Sequence, residues 1–153
     1  MYCRIPNTKK YKQMKIELNQ YNKHQIFKAT SESGYSLLVG RAEGNNINAI
    51  KPMELLLVSL ASCSSIDIIS ILNKQRQIDF SYQVKVDSKR KTDEVPAIFE
   101  EITLRYIFKG DVSPKKAKRA VDLSLEKYCS VSKIIEETVK IKYQVIVNGE
   151  NYE

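Results

Sequence analysis

The chain has 153 residues, a length that fits one domain with a true hydrophobic core, so stability requires neither disulfides nor a structural metal. Its three cysteines include no CxxC pair, and the sequence shows no signal-peptide pattern. Both observations favour a reducing compartment and predict a cytoplasmic protein. The net charge of +7 invites a nucleic-acid interpretation, but the basic residues are dispersed among acidic ones, a distribution typical of a soluble basic surface. We therefore expect no nucleic-acid partner.

The first third of the chain is predicted to be an arm, a meander and a loop. Residues 1–12 show no periodicity and are predicted to form a loosely held arm that contains Cys3. The segments MKIEL, HQIFKAT and YSLLVG alternate apolar with polar side chains and are separated by turn-forming residues. This pattern predicts an antiparallel meander, followed by a loop in the stretch RAEGNNINAIK.

A long apolar helix is predicted from residue 52 to about residue 75. Pro52 suits a first helical turn, and the residues after it are apolar nearly all round. Five serines and an aspartate interrupt the apolar run, which favours a core helix over a membrane span, so we expect no membrane partner. One chain has too few other elements to cover such a helix, and we therefore expect an obligate homodimer.

The remainder of the chain predicts two strands, two helices and a last strand. Apolar side chains recur at even spacings in residues 82–86, 98–108 and 141–147, and the connection SKRKTDEVPA is hairpin-like. Ser113 is predicted to cap a helix that starts at Pro114, and SVSKIIEET predicts a further short helix. The apolar residues of the first of these helices are predicted to be Ala117, Ala120, Val121, Leu125 and Tyr128. Clustered strands with segregated helices predict a single α+β domain over residues 1–153, with a mostly antiparallel sheet.

Two cysteines in helical settings carry the chemical interest. On a helical wheel Ser59, Cys63, Asp67 and Ser70 form a polar stripe that needs polar partners or a cavity. Cys129 lies just before a helix start, where backbone N–H groups can favour a thiolate. Either cysteine can equally be inert packing, because burial keeps a thiol protonated. Together they permit a cycle in which one thiolate is oxidised to a sulfenic acid and the other condenses with it to a disulfide.

The segments KPMELLLVSLASCSSIDIISILNKQR and AVDLSLEKYCSVSKIIEETVKIKYQV resemble the two cysteine-bearing segments of the OsmC/Ohr family of thiol-dependent hydroperoxide reductases. The resemblance runs from about residue 52 to residue 147. It is closest to the YhfA-like branch, which shares the SCSxxD and EKYCSV phrasing. It implies an OsmC-like α+β fold, with mostly antiparallel sheets wrapped around two central helices in an interlocked homodimer.

The resemblance also implies a site and a reaction. Cys63 would be the peroxidatic thiol and Cys129 the resolving thiol, with an organic hydroperoxide as substrate, a dithiol as reductant, and neither cofactor nor metal. Arg41 is the candidate for the arginine that holds the first thiolate in family peroxidases. His24 is the only histidine, which gives a zinc site or a Cys-His hydrolase little support.

The chain departs from the family at the glutamate that orients this arginine. Met53 stands at the usual acidic position, directly after the proline, and the nearest carboxylate is Glu54. Glu54 and Cys63 are nine residues apart, so on one helix they point to nearly opposite sides, and Glu54 can equally serve the helix dipole. Glu43 is another possible partner for Arg41. The alternative function is therefore a non-catalytic dimer that binds an apolar small molecule or senses oxidants.

Overall fold

The computed structural model describes residues 13–23, 25–41 and 49–152. Cys3, His24 and Glu43, which the sequence singled out, lie outside the described residues. The chain divides into two compact units, residues 1–54 and residues 55–153, which we describe in turn.

The first unit contains a three-stranded antiparallel sheet, as the alternating segments predicted. Its strands are β1 (Ile16–Gln20), β2 (Ile26–Ser31) and β3 (Ser36–Gly40), in the order β1-β2-β3. The chain leaves β3 at Gly40, whose φ is +151°, and a Cβ atom at this position would lie 2.0 Å from the carbonyl oxygen of Gln25. Only glycine therefore allows β3 to end this close to the start of β2.

Helix α1 spans Pro52–Lys74, in agreement with the predicted helix. In its first turn the backbone N–H of Lys51 donates to Glu54 Oε2 at 3.1 Å, and Lys51 Nζ lies 3.6 Å from Glu54 Oε1. A glutamate at the third helical position that accepts from the residue before the helix forms one half of a capping box. Glu54 thus stabilises the start of α1.

The second unit contains a four-stranded sheet and two further helices. The strands, in the sheet order β4-β5-β6-β7, are β4 (Asp79–Arg90), β5 (Phe99–Asp111), β6 (Lys140–Val147) and β7 (Glu150–Tyr152). The β4–β5 and β6–β7 pairs are antiparallel, whereas β5 and β6 are parallel. The chain crosses between β5 and β6 through α2 (Pro114–Leu123), a π-helical turn (Ser124–Tyr128) and α3 (Ser130–Ile135). The mixed α+β architecture confirms the predicted fold class.

The last strand, β7, was not predicted from the sequence. Strand β7 follows β6 through a turn at Asn148 and Gly149, whose φ angles are +51° and +91°. An Asn-Gly pair with positive φ at both positions is the preferred connection of a two-residue hairpin. The Asn148 side chain also accepts from the N–H of Gly110 and donates to its carbonyl, at 2.9 and 3.1 Å. These bonds tie the hairpin to the end of β5.

Helix α1 packs on this sheet along one narrow stripe. Its fully buried residues recur every four positions and are Leu60, Ser64, Ile68 and Leu72. The Tyr106 hydroxyl on β5 donates to Ser64 Oγ at 2.9 Å, and the Tyr82 hydroxyl on β4 lies 2.8 Å from Ser65 Oγ. Burial raises the pKa of Tyr82 to about 12, so its hydroxyl stays protonated at neutral pH. Polar contacts between α1 and the sheet are typical of a core helix.

The rest of α1 is poorly covered within one chain, as the sequence predicted. Among the described residues α1 is the one helix long and apolar enough to cross a membrane, yet only 28% of its most apolar stretch is buried within the chain. Ile66 is 70% exposed. Within the part of the chain that the structure describes, most of this apolar helix is therefore open.

Two local predictions for the second helix were wrong. Ser113 lies at the cap position of α2, but its side chain makes no capping hydrogen bond. Its N–H donates instead to Gln77 Oε1 at 2.8 Å. Tyr128, predicted to be part of the apolar face, is 48% exposed. The π-helical turn is the reason, because its wider turn shifts the later side chains out of the helical spacing.

Candidate functional site

Cys63 lies in the middle of α1 and is partly buried. The next residue, Ser64, is fully buried beneath it against the sheet. The regular helix therefore fixes the Cys63 backbone, while the exposed side of α1 leaves the thiol a route to solvent. A partly exposed thiol is accessible to an oxidant, unlike one sealed in a core.

Cys129 lies at the junction between the π-helical turn and α3, and it is fully buried. It is the cap residue of α3, and its Sγ accepts a hydrogen bond from the N–H of Ser132 at 3.4 Å. The Ser132 hydroxyl donates to the carbonyls of Leu125 and Cys129, at 3.2 and 2.8 Å. The predicted position of Cys129 at a helix start is thus confirmed.

The electrostatic expectation for Cys129 was only half right. Burial raises the pKa of the Cys129 thiol above its ordinary value, and hydrogen bonding and charge interaction with Cys63 raise it further. The N–H and hydroxyl of Ser132 lower the pKa, as expected at a helix start, but they do not offset burial. Cys129 is therefore predominantly a neutral thiol at pH 7.

The structure brings the two predicted cysteines together. Cys63 and Cys129 are both free thiols, and they lie close enough for Cys63 to raise the pKa of Cys129. One belongs to α1 and the other to the crossover between β5 and β6, so the fold of the second unit juxtaposes two distant parts of the chain. Adjacent free thiols of unequal exposure can undergo the sulfenic acid and disulfide chemistry that the sequence suggested.

The polar stripe on α1 has both the hydrogen-bond partners and the cavity that the sequence predicted for it. The Ser59 hydroxyl donates to the Leu55 carbonyl at 2.8 Å, and Asp67 Oδ2 lies 3.5 Å from Ser124 Oγ. The second half of the stripe faces a cavity of about 380 Å³. This cavity is lined by Asp67, Ser70, Ile71, Lys74, Gln75, Leu123 and Tyr128.

Arg41 and Glu54 belong to the first unit. Arg41 directly follows β3, where its N–H donates to the Gln25 carbonyl at 2.9 Å. Its side chain borders an apolar groove of about 460 Å³, lined by Leu18, Gln25, Phe27, Val39, Gly40, Arg41 and Pro52. Glu54 is paired with Lys51 at the start of α1, which fits its alternative role at the helix terminus.

Buried serines near the two thiols were not predicted from the sequence. Ser124 and Ser132 are buried in the segments on either side of Cys129, and Ser124 donates to the Ser64 carbonyl on α1 at 3.1 Å. A signal was present for Ser124, which follows Ala120 by four residues and Val121 by three, on the apolar side of α2. A hydroxyl at such a position requires a buried partner. Nothing in the sequence pointed to Ser132.

The described residues offer no ready metal centre. Within residues 13–23, 25–41 and 49–152, no group of three or more His, Cys, Asp or Glu side chains is arranged to hold a metal ion.

Comparison with known proteins identifies the family. The family model described as OsmC-like protein matches residues 43–144. Over 123 residues the chain is 41% identical to protein YhfA of Escherichia coli strain K12, an alignment that covers 78% of this chain and 90% of YhfA.

Solved structures agree. A hypothetical protein from Aquifex aeolicus VF5 is similar with a TM-score of 0.75 and 34% identity, over 90% of this chain and 98% of that one. An organic hydroperoxide resistance protein from Elizabethkingia anophelis shares the fold, with a TM-score of 0.66 and 14% identity over 92% and 99% of the two chains. The family match, the identity to YhfA and the common fold together show that the chain belongs to the OsmC/Ohr family.

Proposed function

We propose that the protein is a thiol-dependent peroxidase that reduces organic hydroperoxides through a dithiol-disulfide cycle of Cys63 and Cys129. The observation that carries the proposal is the proximity of two free thiols with unequal burial, one on α1 and the other at the start of α3. Family membership, with relatives named organic hydroperoxide resistance proteins, supports the substrate class.

The proposed cycle has three steps. The Cys63 thiolate attacks the distal oxygen of the hydroperoxide, which breaks the O–O bond, releases an alcohol after protonation, and leaves a Cys63 sulfenic acid. The Cys129 sulfur then attacks the Cys63 sulfur, which forms the disulfide and releases water. A dithiol donor reduces the disulfide by exchange and is itself oxidised to a disulfide.

The proposal assigns different roles to the two thiols because their surroundings differ. Cys63 is the less buried of the two thiols, so it is the one assigned to meet the hydroperoxide. Cys129 is buried with a raised pKa, so it stays a neutral thiol and is spared direct oxidation until a sulfenic acid forms beside it. We assign Arg41 to hold the Cys63 thiolate and Glu54 as its accessory carboxylate on the family resemblance.

We place the protein in the cytoplasm on the sparse, unpaired cysteines of its sequence, and we propose a homodimer on the exposed apolar surface of α1. Apolar side chains such as Leu56, Val58 and Ile66 stand partly or largely in solvent when one chain is considered alone. A second copy that covered them would remove this apolar area from water, which is favourable.

Thiol counting tests the proposal directly. Reduced protein is mixed with one equivalent of cumene hydroperoxide, and free thiols and protein mass are followed with time. We expect the loss of two thiols per chain, a mass decrease of two hydrogens, and repeated turnover when dithiothreitol is supplied. Thiols that survive a tenfold excess of hydroperoxide for an hour would refute the peroxidase.

A second function is favoured by the residues at the start of α1. Met53 lacks a carboxylate and Glu54 is engaged by Lys51, so a non-catalytic dimer that senses oxidants or binds an apolar molecule is the alternative. It predicts a single stoichiometric oxidation with no repeated turnover in the presence of dithiothreitol.

A further inference from the structure

Ser124 connects the backbones next to the two cysteines. Its hydroxyl donates to the carbonyl of Ser64, the residue that follows Cys63, at 3.1 Å. Its own carbonyl accepts a hydrogen bond from the N–H of Cys129 at 2.8 Å. Two consecutive hydrogen bonds through one residue therefore link the chain beside Cys63 to the chain at Cys129.

The bond from Ser124 to α1 differs from those of the other serines near the site. Ser59, Ser64 and Ser65 each donate to a carbonyl four residues earlier on α1, which is the usual solution for a serine inside a helix. The Ser124 hydroxyl instead crosses to a residue 60 positions away. A hydroxyl that needed only a local partner would not require this tertiary contact.

The groups around this link are buried and mutually bonded, so the link has little freedom to move. Ser64 and Ser124 are fully buried, and the Tyr106 hydroxyl donates to Ser64 Oγ at 2.9 Å. The Ser132 hydroxyl donates to the Leu125 carbonyl inside the π-helical turn at 3.2 Å. A further contact of the Ser124 hydroxyl, with Asp67 Oδ2, is 3.5 Å long and hence weak.

We propose that Ser124 is a positioning residue that sets the separation of Cys63 and Cys129 for disulfide formation, a proposal that rests on the dithiol cycle above. A disulfide requires Cα atoms about 4.4–6.8 Å apart and a specific torsion about the S–S bond. A small displacement of the π-helical turn from α1 therefore reduces closure. The step concerned is the condensation of the Cys63 sulfenic acid with the Cys129 thiol, which forms the S–S bond and releases water.

The experiment measures the equilibrium between dithiol and disulfide in glutathione redox buffers without any peroxide. The full-length wild type is compared with Ser124→Ala, Ser124→Thr and Ser65→Ala, and the two forms are separated by their alkylation mass. Ser65→Ala is the matched control, because Ser65 lies two residues from Cys63 and bonds Tyr82 but has no bond to the segment of Cys129. Thermal unfolding of each variant establishes that it is folded.

We expect Ser124→Ala to lower the equilibrium constant for disulfide formation about fivefold, the factor that corresponds to one ordinary hydrogen bond. Ser124→Thr retains a hydroxyl and is expected to restore the wild-type value. Ser65→Ala should cost similar stability and leave the dithiol equilibrium within about twofold of wild type. The isosteric pair Ser124→Thr and Ser124→Val provides a second comparison of hydroxyl with no hydroxyl, with the same expected direction.

Two results would overturn the positioning role. In the first, Ser124→Ala changes the equilibrium constant for disulfide formation no more than Ser65→Ala does. In the second, the wild type forms no disulfide in any glutathione buffer. The outcome is separable from the peroxidase proposal. A weakened disulfide in Ser124→Ala, together with a wild type inert to cumene hydroperoxide, would support the role of Ser124 and refute the peroxidase.

Discussion

Two helical regions hold the two cysteines, and they differ in how completely one chain covers them. Helix α1, with Cys63, is apolar nearly all round but has only one narrow buried stripe. The region from α2 to α3, with Cys129, buries Ala117, Ala120 and Val121 and leaves Lys115 and Lys116 exposed. The difference implies that the site combines a fixed, sealed thiol with a thiol on a surface that is still open.

The largest effect on the reaction with hydroperoxide is expected from a substitution of Cys63, the thiol on the less covered helix. Cys63→Ser should abolish the reaction with organic hydroperoxide, because no accessible thiolate remains and Cys129 is buried and protonated. Stoichiometric titration with cumene hydroperoxide and thiol counting measure this. Cys3→Ser is the matched control and should react like the wild type. A Cys63→Ser variant that still consumed hydroperoxide at the wild-type rate would reverse the assignment of the two thiols.

Cys129→Ser should fail in a different way. We expect one oxidation per chain to a Cys63 sulfenic acid that dimedone traps, with no internal disulfide and further oxidation to sulfinic acid under excess hydroperoxide. Intact-mass spectrometry distinguishes the products. If Cys129→Ser turned over repeatedly with dithiothreitol, Cys129 would not be the resolving thiol.

The open surface of α1 can be tested separately. Ile66→Glu should convert a dimer to monomers, because it places a charge where the proposed partner removes water, and we expect at least about a 100-fold weaker dimer. Sedimentation at micromolar concentration measures this. Val95→Glu, at a fully exposed residue of the β4–β5 connection, is the control and should leave association unchanged. A wild type that sediments as a monomer would exclude the dimer.

The sealed thiol predicts a pH dependence of disulfide closure. Because the pKa of Cys129 is raised, its reactive thiolate is a minor form at neutral pH, and its fraction increases tenfold per pH unit until the pH reaches that pKa. The rate of sulfenic acid loss should therefore rise about tenfold per unit from pH 6 to pH 8. Rapid-quench mass spectrometry follows this step. A rate independent of pH in this range would show that Cys129 does not attack as a thiolate.

The smallest effect is expected at Ser132, whose hydroxyl lowers the pKa of Cys129. Ser132→Ala should slow closure a few-fold at pH 7 and cost about 1 kcal/mol of unfolding free energy, because two buried carbonyls lose a donor. Closure kinetics and urea unfolding measure the two effects. Ser132→Thr, which keeps the hydroxyl, should recover most of both.

Local patterns predicted most of the fold and part of the site. Alternation in the meander and the all-round apolar run after Pro52 report on single elements, and these elements form where expected. The juxtaposition of Cys63 with Cys129 depends on the parallel β5–β6 pairing, which no local pattern encodes. The prediction that the two cysteines form one site came from the family resemblance. The burial of Ser132 and the exposure of Tyr128 were not predicted from the sequence. Both depend on the π-helical turn, whose spacing differs from that of an ordinary helix.

The parallel pairing of β5 and β6 also orders events during synthesis of the chain. The meander of the first unit pairs neighbouring segments, so it can form soon after it leaves the ribosome. The crossover that holds Cys129 is fixed only when β6, near the C-terminus, pairs with β5. A growing or truncated chain lacks this fixed arrangement, so its two thiols meet only by random loop closure until the second unit is complete.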